Sequence, residues 1–175
     1  MWPYGPTPVV ELGGWSFQVS GHGLAEPIEW TMEEFLALGD HETTRDFHCV
    51  TTWSRYDNAW RGVPIEAVWS QIEPHLTEEV GAVMLHCTCG YTTNLLIEDF
   101  LKADNLFATH HDGKPLTSDH GGPLRFVCHH LYAWKAAKWI DGSELLDMDA
   151  RGFWERNGYH KRGDPWDEER YAYQE

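Results

Sequence analysis

The stretch GGPLRFVCHHLYAWKAAKW, residues 121–139, decides how this chain is read. Paired glycines and a proline mark a turn, and the apolar run after them reads as a buried strand. The segment YAWKAAKWI that follows fits a loop or a helix equally well. From His120 to Ile140 there is no Asp or Glu, yet Arg125, Lys135 and Lys138 occur there with His120, His129 and His130. The chain as a whole has thirteen basic against twenty-eight acidic residues and a formal charge of −15. A cationic patch in such a background points to an anionic ligand such as a phosphate. The paired Gly121 and Gly122 would let backbone N–H groups cradle it. The competing reading is that Arg125 and Lys138 pair with some of the many carboxylates.

The same charge argues against nucleic acid and anionic membranes as general partners. No apolar run approaches the roughly 20 residues of a membrane span. The start, MWPYGPTPVV, lacks the basic and apolar regions of a secretory signal, so a cytoplasmic location is expected. In that reducing compartment Cys49, Cys87, Cys89 and Cys128 are not expected to form structural disulfides. The length of 175 residues predicts one domain spanning residues 1–175, with an N-terminal arm that is short or missing.

Working outward, WSFQVSG alternates Trp15, Phe17 and Val19 with polar neighbours and predicts a half-buried strand. Thr31 stands three residues before Glu34, a capping box ahead of a short helix. TTRDFHCVTTW predicts a strand running into a loop. Pro64 is placed at a first helical position, ahead of Ile65, Val68, Trp69 and Ile72 on one face. GAVMLHCT reads as a buried strand, IEDFLKA as a short helix and HDGK as a tight turn. GFWERNGY and DPWDEERYAY are short helical or irregular. Strands and helices intersperse without a regular βαβ period, which predicts an α+β fold with a mixed sheet.

Cys49, in DFHCVTTWS (residues 46–54), leaves several readings open. It is a small buried hydrophobe, a nucleophile or a metal ligand. His48 points to the opposite strand face and is a poor base for it. HCTC at His86–Cys89 and CHH at Cys128–His130 offer a zinc set with Cys49, Cys87, Cys89 and a histidine. Their spacing matches no common zinc pattern.

Three segments, FHCVTTWS, GGPLRFVCHHLYAWKAAKW and GFWERNGYHKRGDPW, occur in the order found in the sulfite oxidase-type family of molybdopterin-dependent oxidoreductases. The chain resembles the small stand-alone bacterial members of that family from about Trp15 onward. The resemblance implies the molybdopterin-binding α+β fold and a molybdenum–molybdopterin cofactor. It implies an oxidoreductase catalysing two-electron oxygen-atom transfer on a small molecule. Cys49 would be the metal thiolate. His120, Arg125 and Lys138 would hold the pterin and its phosphate, with Ala136, Ala137 and Cys87 lining the pterin. Tyr159, in the pattern Trp154–x–Arg156–x–x–Tyr159, would be the active-site tyrosine. The family's cluster of substrate-gripping arginines is not reproduced, since only Arg45 precedes and only Arg55 follows the cysteine closely. No haem-binding segment is recognised, so a separate electron-transfer partner is implied. The alternatives are the zinc protein and a non-catalytic descendant of the fold acting as a binding module.

Overall fold

The computed structural model describes residues 6–175. Residues 1–5, where the expected short arm begins, lie outside the described residues. The chain runs β1 (Ser16–Gly21), β2 (Ile28–Thr31), α1 (Met32–Ala37), β3 (His41–His48), β4 (Ser54–Pro64) and α2 (Ile65–Ile72). It continues with β5 (Ala82–Cys87), β6 (Thr92–Leu96), α3 (Ile97–Phe100), β7 (Leu106–His111), β8 (Lys114–Pro115), β9 (Arg125–Val127), β10 (Ile140–Leu146) and α4 (Phe153–Arg156).

Two five-stranded sheets result, ordered β2-β1-β10-β5-β6 and β3-β4-β7-β8 with β9 beside β7. The first is mixed, because β10 runs parallel to β1 with Gln18 opposite Gly142. This is the α+β class with a mixed sheet and short helices that the sequence predicts. Phe17 of the first sheet meets Phe107 of the second at 5.1 Å between ring centroids, and Phe107 meets Phe126 at 5.3 Å. The core therefore lies where the two sheets face each other, and Phe17, Phe107 and Phe126 are fully buried in it.

Local signals held where their physics is local. Trp15, Phe17 and Val19 all point inward from the first strand region. The capping box forms, with the Thr31 hydroxyl accepting from the Glu34 N–H and the Glu34 carboxylate accepting from the Thr31 N–H. Asp112 and Gly113, both at positive φ, make the β7–β8 turn. Pro64 departs by one position: it closes β4 opposite Leu106 with ψ 148°, so the helix starts at Ile65. On that helix Ile65, Val68 and Ile72 are buried, whereas Trp69 is half-buried. The ambiguous YAWKAAKWI resolves into a 3-10 turn at Ala133–Lys135 and an extended run into β10.

Candidate functional site

β3 ends at His48, and the chain then turns sharply. The Cys49 N–H donates to the Trp53 carbonyl at 2.9 Å and the Thr52 N–H donates to the Cys49 carbonyl at 3.0 Å. Thr52 sits at φ +71°, a left-handed conformation that a β-branched residue rarely adopts. The turn is tied from outside by Arg170, which donates to the Val50 carbonyl and lies over the Tyr132 ring. The Cys49 thiol lies 3.1 Å from the Thr51 hydroxyl. His48 turns away, its Nδ1 2.8 Å from the Ser54 hydroxyl and its ring against Trp166.

Cys49 opens into a cleft of about 460 Å³ shared with Phe47, Val50, Thr51, Trp53 and Tyr91. The far segment contributes Arg125, Ala133, Trp134, Ala136, Lys138, Trp139, Trp154 and Tyr159. Arg125 and Lys138 are opposite partners in an antiparallel bridge, so their side chains emerge on the same side. Gly121, at φ +100°, makes this packing possible, because a Cβ there would come within 2.8 Å of the Lys138 side chain.

The glycines do not act as the sequence predicts. The Gly121 N–H donates to the Ser118 carbonyl and the Gly122 N–H to the Thr117 carbonyl, each at 3.0 Å. Both donors are spent inside the turn, so their role is close packing and not an N–H cradle. The cationic patch is also narrower than expected. Lys135 is fully buried and paired with Glu155 at 2.7 Å. His130 is 3.2 Å from Asp99, and His129 is half-buried near Asp104 and Arg45.

Arg125 and Lys138 remain. Neither forms an ion pair among the described residues, so the competing reading of surface pairing does not hold. Arg125 is 8% exposed and its Nε–H has no hydrogen-bond partner. Its guanidinium lies 5.2 Å from the ring centroids of both Phe47 and Trp60. One Nη donates to the His120 carbonyl at 3.3 Å. Burial lowers its pKa to about 10. Burial also lowers that of Lys138, and Arg125 beside it pushes in the same direction. Lys138 donates to the Asp119 carbonyl at 2.7 Å. A buried cation with an orphan donor is costly unless an anion joins it. A phosphate therefore fits this wall, and a soft thiolate suited to a transition metal stands in the same cleft.

Tyr159 lines the cleft, stacked on Trp154 at 5.1 Å and tilted against Trp134 at 5.0 Å. Burial raises its pKa, with Tyr171 and Cys49 adding to the shift. Ala136 lines the cleft, whereas Ala137 lies just behind it, its carbonyl accepting from the Phe126 N–H at 2.9 Å. The exposed His120 contributes its carbonyl to Arg125 and holds its own ring against the Thr117 hydroxyl. Cys87 is not among the lining residues; it is buried in the main core.

Sequence reasoning missed the aromatic sandwich around Arg125 and the supports of the cleft floor. The Tyr91 hydroxyl donates to the Trp134 carbonyl at 2.5 Å, and the Trp134 indole N–H donates to Glu155 at 2.8 Å. The chain has ten tryptophans, a number that does not by itself say which of them build the cleft. A second cleft of about 490 Å³ lies along Gln18, His86, Asp141 and Ser143. It holds a carboxylate and neither a thiol nor a lysine or arginine, which suits a phosphate and a soft metal poorly. Among the described residues no group of three or more His, Cys, Asp or Glu is placed to hold a metal ion, so the zinc set is not assembled.

Known proteins resemble this chain in sequence and in fold. The family model of the oxidoreductase molybdopterin binding domain matches residues 4–154. The chain belongs to this sulfite oxidase-type molybdopterin oxidoreductase family. A curated relative within reach, the uncharacterized oxidoreductase YuiH of Bacillus subtilis, is 45% identical over 164 residues, covering 93% of this chain and 81% of the relative. The protein-methionine-sulfoxide reductase catalytic subunit MsrP of Xanthomonas campestris pv. campestris is 28% identical over 145 residues, or 75% of this chain. The sulfane dehydrogenase SoxCD from Paracoccus pantotrophus superposes with a TM-score of 0.71 at 16% identity over 87% of this chain, a likeness of fold. The chain spans 44% of the length of that MsrP and 42% of the SoxCD chain. No helix among the described residues is long and apolar enough to cross a membrane.

Proposed function

We propose that residues 1–175 work as one molybdopterin-binding oxidoreductase domain that moves an oxygen atom to or from a neutral, sulfur-centred small molecule. The bound cofactor would supply the two-electron metal chemistry. Cys49 would hold the metal through its thiolate. Arg125 and Lys138, with His120 at the edge, would hold the pterin phosphate, and Ala136, backed by Ala137, would form the wall along the pterin. Tyr159 would donate a hydrogen bond to the substrate oxygen. The observation that carries this reading is the buried Arg125 guanidinium, its Nε–H without a partner, in the same cleft as Cys49.

The charge of the substrate follows from what is left of the cleft. Once Arg125 and Lys138 serve the phosphate, the remaining lining has no lysine or arginine. Arg55 and Arg45, the candidates for gripping an oxyanion, are held by Asp112 and Asp104. A sulfite ion would enter without a counter-charge. A sulfoxide is neutral, offers its oxygen to the Tyr159 hydroxyl and lays its carbons on Trp53, Trp134 and Trp154. Its reduction takes two electrons and two protons and yields a thioether and water. The electrons would come from a separate carrier protein, in the cytoplasm.

The test is to purify the protein from a host that makes the cofactor and to measure molybdenum and pterin. Turnover is then compared between methionine sulfoxide with a reduced viologen dye and sulfite with ferricyanide. Bound molybdenum and sulfoxide turnover are expected. A metal-free protein from such a host overturns the cofactor reading. Sulfite oxidation at equal or higher kcat/KM overturns the neutral-substrate reading.

A further inference from the structure

Cys49 and Tyr159 reach the cleft from separate parts of the chain, and one C-terminal stretch, residues 164–175, touches the supports of both. On the Cys49 side it meets the residue before and the residue after. The Trp166 ring lies 5.3 Å from that of His48, and the Arg170 guanidinium donates to the Val50 carbonyl. On the Tyr159 side, Tyr171 is the partner in an antiparallel bridge, with the two rings 6.1 Å apart. The His160 N–H donates to the Arg170 carbonyl at 3.1 Å and the Ala172 N–H to the Gly158 carbonyl at 3.0 Å, which fixes the register of that bridge. Arg170 and Tyr171 are neighbours in sequence, so the two grips belong to one short piece of backbone.

Arg170 is itself held in place for this contact. Its Nε–H donates to the Glu168 carboxylate at 2.5 Å, and its guanidinium lies 5.0 Å from the Tyr132 ring centroid. The Tyr132 hydroxyl donates to the same carboxylate at 3.4 Å, so the three side chains brace one another. Gln174 holds the backbone. Its side-chain carbonyl accepts from the N–H groups of Arg170 and Tyr171 at 2.9 and 2.8 Å, and its amide donates to the Glu168 carbonyl at 2.8 Å. A planar fork can bond Glu168 through one nitrogen and Val50 through another while lying on an aromatic face, whereas a lysine brings a single ammonium. The Cys49 turn, for its part, needs support from outside. It is closed by two backbone hydrogen bonds and contains the β-branched Thr52 at positive φ. A backbone in such a shape persists only where its surroundings over-determine it.

We propose that Arg170 is a positioning residue: through the Val50 carbonyl it fixes the turn that carries Cys49, and through Tyr171 it keeps that turn in register with Tyr159. Arg170 is not among the residues that line the cleft, so it acts only through its neighbours. The effect on turnover rests on the roles proposed above for Cys49 and Tyr159; the hold on the turn does not. Where a thiol and a phenol must serve one reacting centre, an error of about 1 Å in their placement costs on the order of 10²-fold in rate. That loss falls on kcat, because Trp134 and Trp154, which would receive the carbons of the substrate, stay where they are.

Amide hydrogen exchange, read residue by residue by NMR in the full-length, cofactor-free protein, tests the hold on the turn. Losing a charge-assisted hydrogen bond in Arg170→Gln should speed exchange of the Cys49 and Thr52 N–H groups by about one to two decades. Leu85 and Ser143, paired across β5 and β10, should keep the parent's rates. Arg170→Lys, which keeps the charge without the fork, should lie between, and it carries the test where Arg170→Gln does not fold. Arg61→Gln, which breaks an exposed pair with Asp40, should leave both amides as in the parent. In the loaded enzyme, kcat of Arg170→Gln should fall by roughly 10-fold to 10²-fold with KM within about twofold and molybdenum occupancy unchanged. Unchanged exchange at Cys49 and Thr52 overturns the proposal. So does equal acceleration throughout both sheets, which would make Arg170 a support of the whole fold, and so does a normal kcat beside accelerated exchange. A metal-free parent overturns the cofactor reading instead, and the exchange rates still decide whether Arg170 holds the turn.

Discussion

Two sets of cations in this molecule look alike in the sequence and differ in their partners. On the β3–β4 hairpin, Arg45 is paired with Asp104, Arg55 with Asp112 at 2.5 Å and Arg61 with Asp40 at 2.6 Å. On the cleft wall, Arg125 and Lys138 form no ion pair among the described residues, and burial weakens the charged form of both, with the nearby Asp119 opposing it at Lys138. The hairpin arginines are solvated and already neutralised. The wall residues are desolvated and wait for an anion. What identifies a ligand-binding cation is therefore its missing partner, and the total charge of −15 carries no information on that point.

The largest effect should come from the lysine that the sequence grouped with the wall. Lys135 and Glu155 are fully buried, and the lysine also donates to the Asn94 and Lys161 carbonyls at 2.8 and 2.6 Å. Lys135→Met leaves the Glu155 carboxylate buried without its cation. We expect a loss of about 3–5 kcal/mol of stability, the usual consequence of breaking one side of a buried pair. Urea unfolding measures it. Undiminished stability with impaired pterin retention would move Lys135 into the anion wall and break the comparison.

Next is Tyr159, the hydrogen-bond donor proposed for a substrate without charge. Tyr159→Phe deletes the hydroxyl and keeps the ring between Trp134 and Trp154. Turnover should fall by about 10²-fold, as on removing one oxyanion donor, with molybdenum occupancy unchanged. A normal rate would leave Tyr159 as packing alone. Lost occupancy would make it part of the cofactor wall.

Arg125→Met sharpens the contrast most directly. A charge-assisted hydrogen bond is worth about 1.5–3 kcal/mol, so pterin retention should fall by roughly one to two decades. The cofactor-free variant should melt higher than the cofactor-free parent, because an unpaired buried charge is replaced by an apolar chain of similar volume. Arg55→Gln should change neither quantity, since that side chain is exposed and held by Asp112. Equal cofactor loss in both variants would erase the distinction between the two sets.

Much of this arrangement was legible because its causes are local. Alternation buried Phe17 and Val19, Thr31 and Glu34 met across one helical turn, and Arg125 and Lys138 stood out because the stretch from His120 to Ile140 that holds them has no acid. What stayed hidden depends on distant segments meeting. The parallel pairing of β1 with β10 joins Gln18 to Gly142. Lys135 finds Glu155 only after the 3-10 turn points it inward. The N–H groups of Gly121 and Gly122 are taken by the carbonyls of Ser118 and Thr117, a closure that composition cannot reveal. The sandwich of Arg125 between Phe47 and Trp60 needs three strands at once.

The smallest expected effect concerns a histidine of the acid-free stretch that is neither a wall cation nor a member of a close ion pair. Burial lowers the His129 pKa to about 4, and His130, Arg45 and Lys102 push the same way against Asp104. In the unfolded chain an imidazole titrates near 6.5. Between these values the unfolded state binds more protons than the folded state, so stability rises with pH across that window. The neutral ring's contribution is complete above about pH 6.5 and is lost as the pH falls toward 4. Asp99, held ionised by His130 and Arg162, adds its own loss only below the carboxylate range near 3.9. The two contributions are thus separated in pH. Melting temperatures followed from pH 7 to 4 should decline in the parent. His129→Gln, which cannot take the proton, should decline less across the same interval while behaving like the parent below it. Parallel curves for the two proteins would show that the ring is charged in the folded state, which would add a third cation to the neighbourhood of Arg45 and weaken the case that this side of the molecule is electrostatically settled.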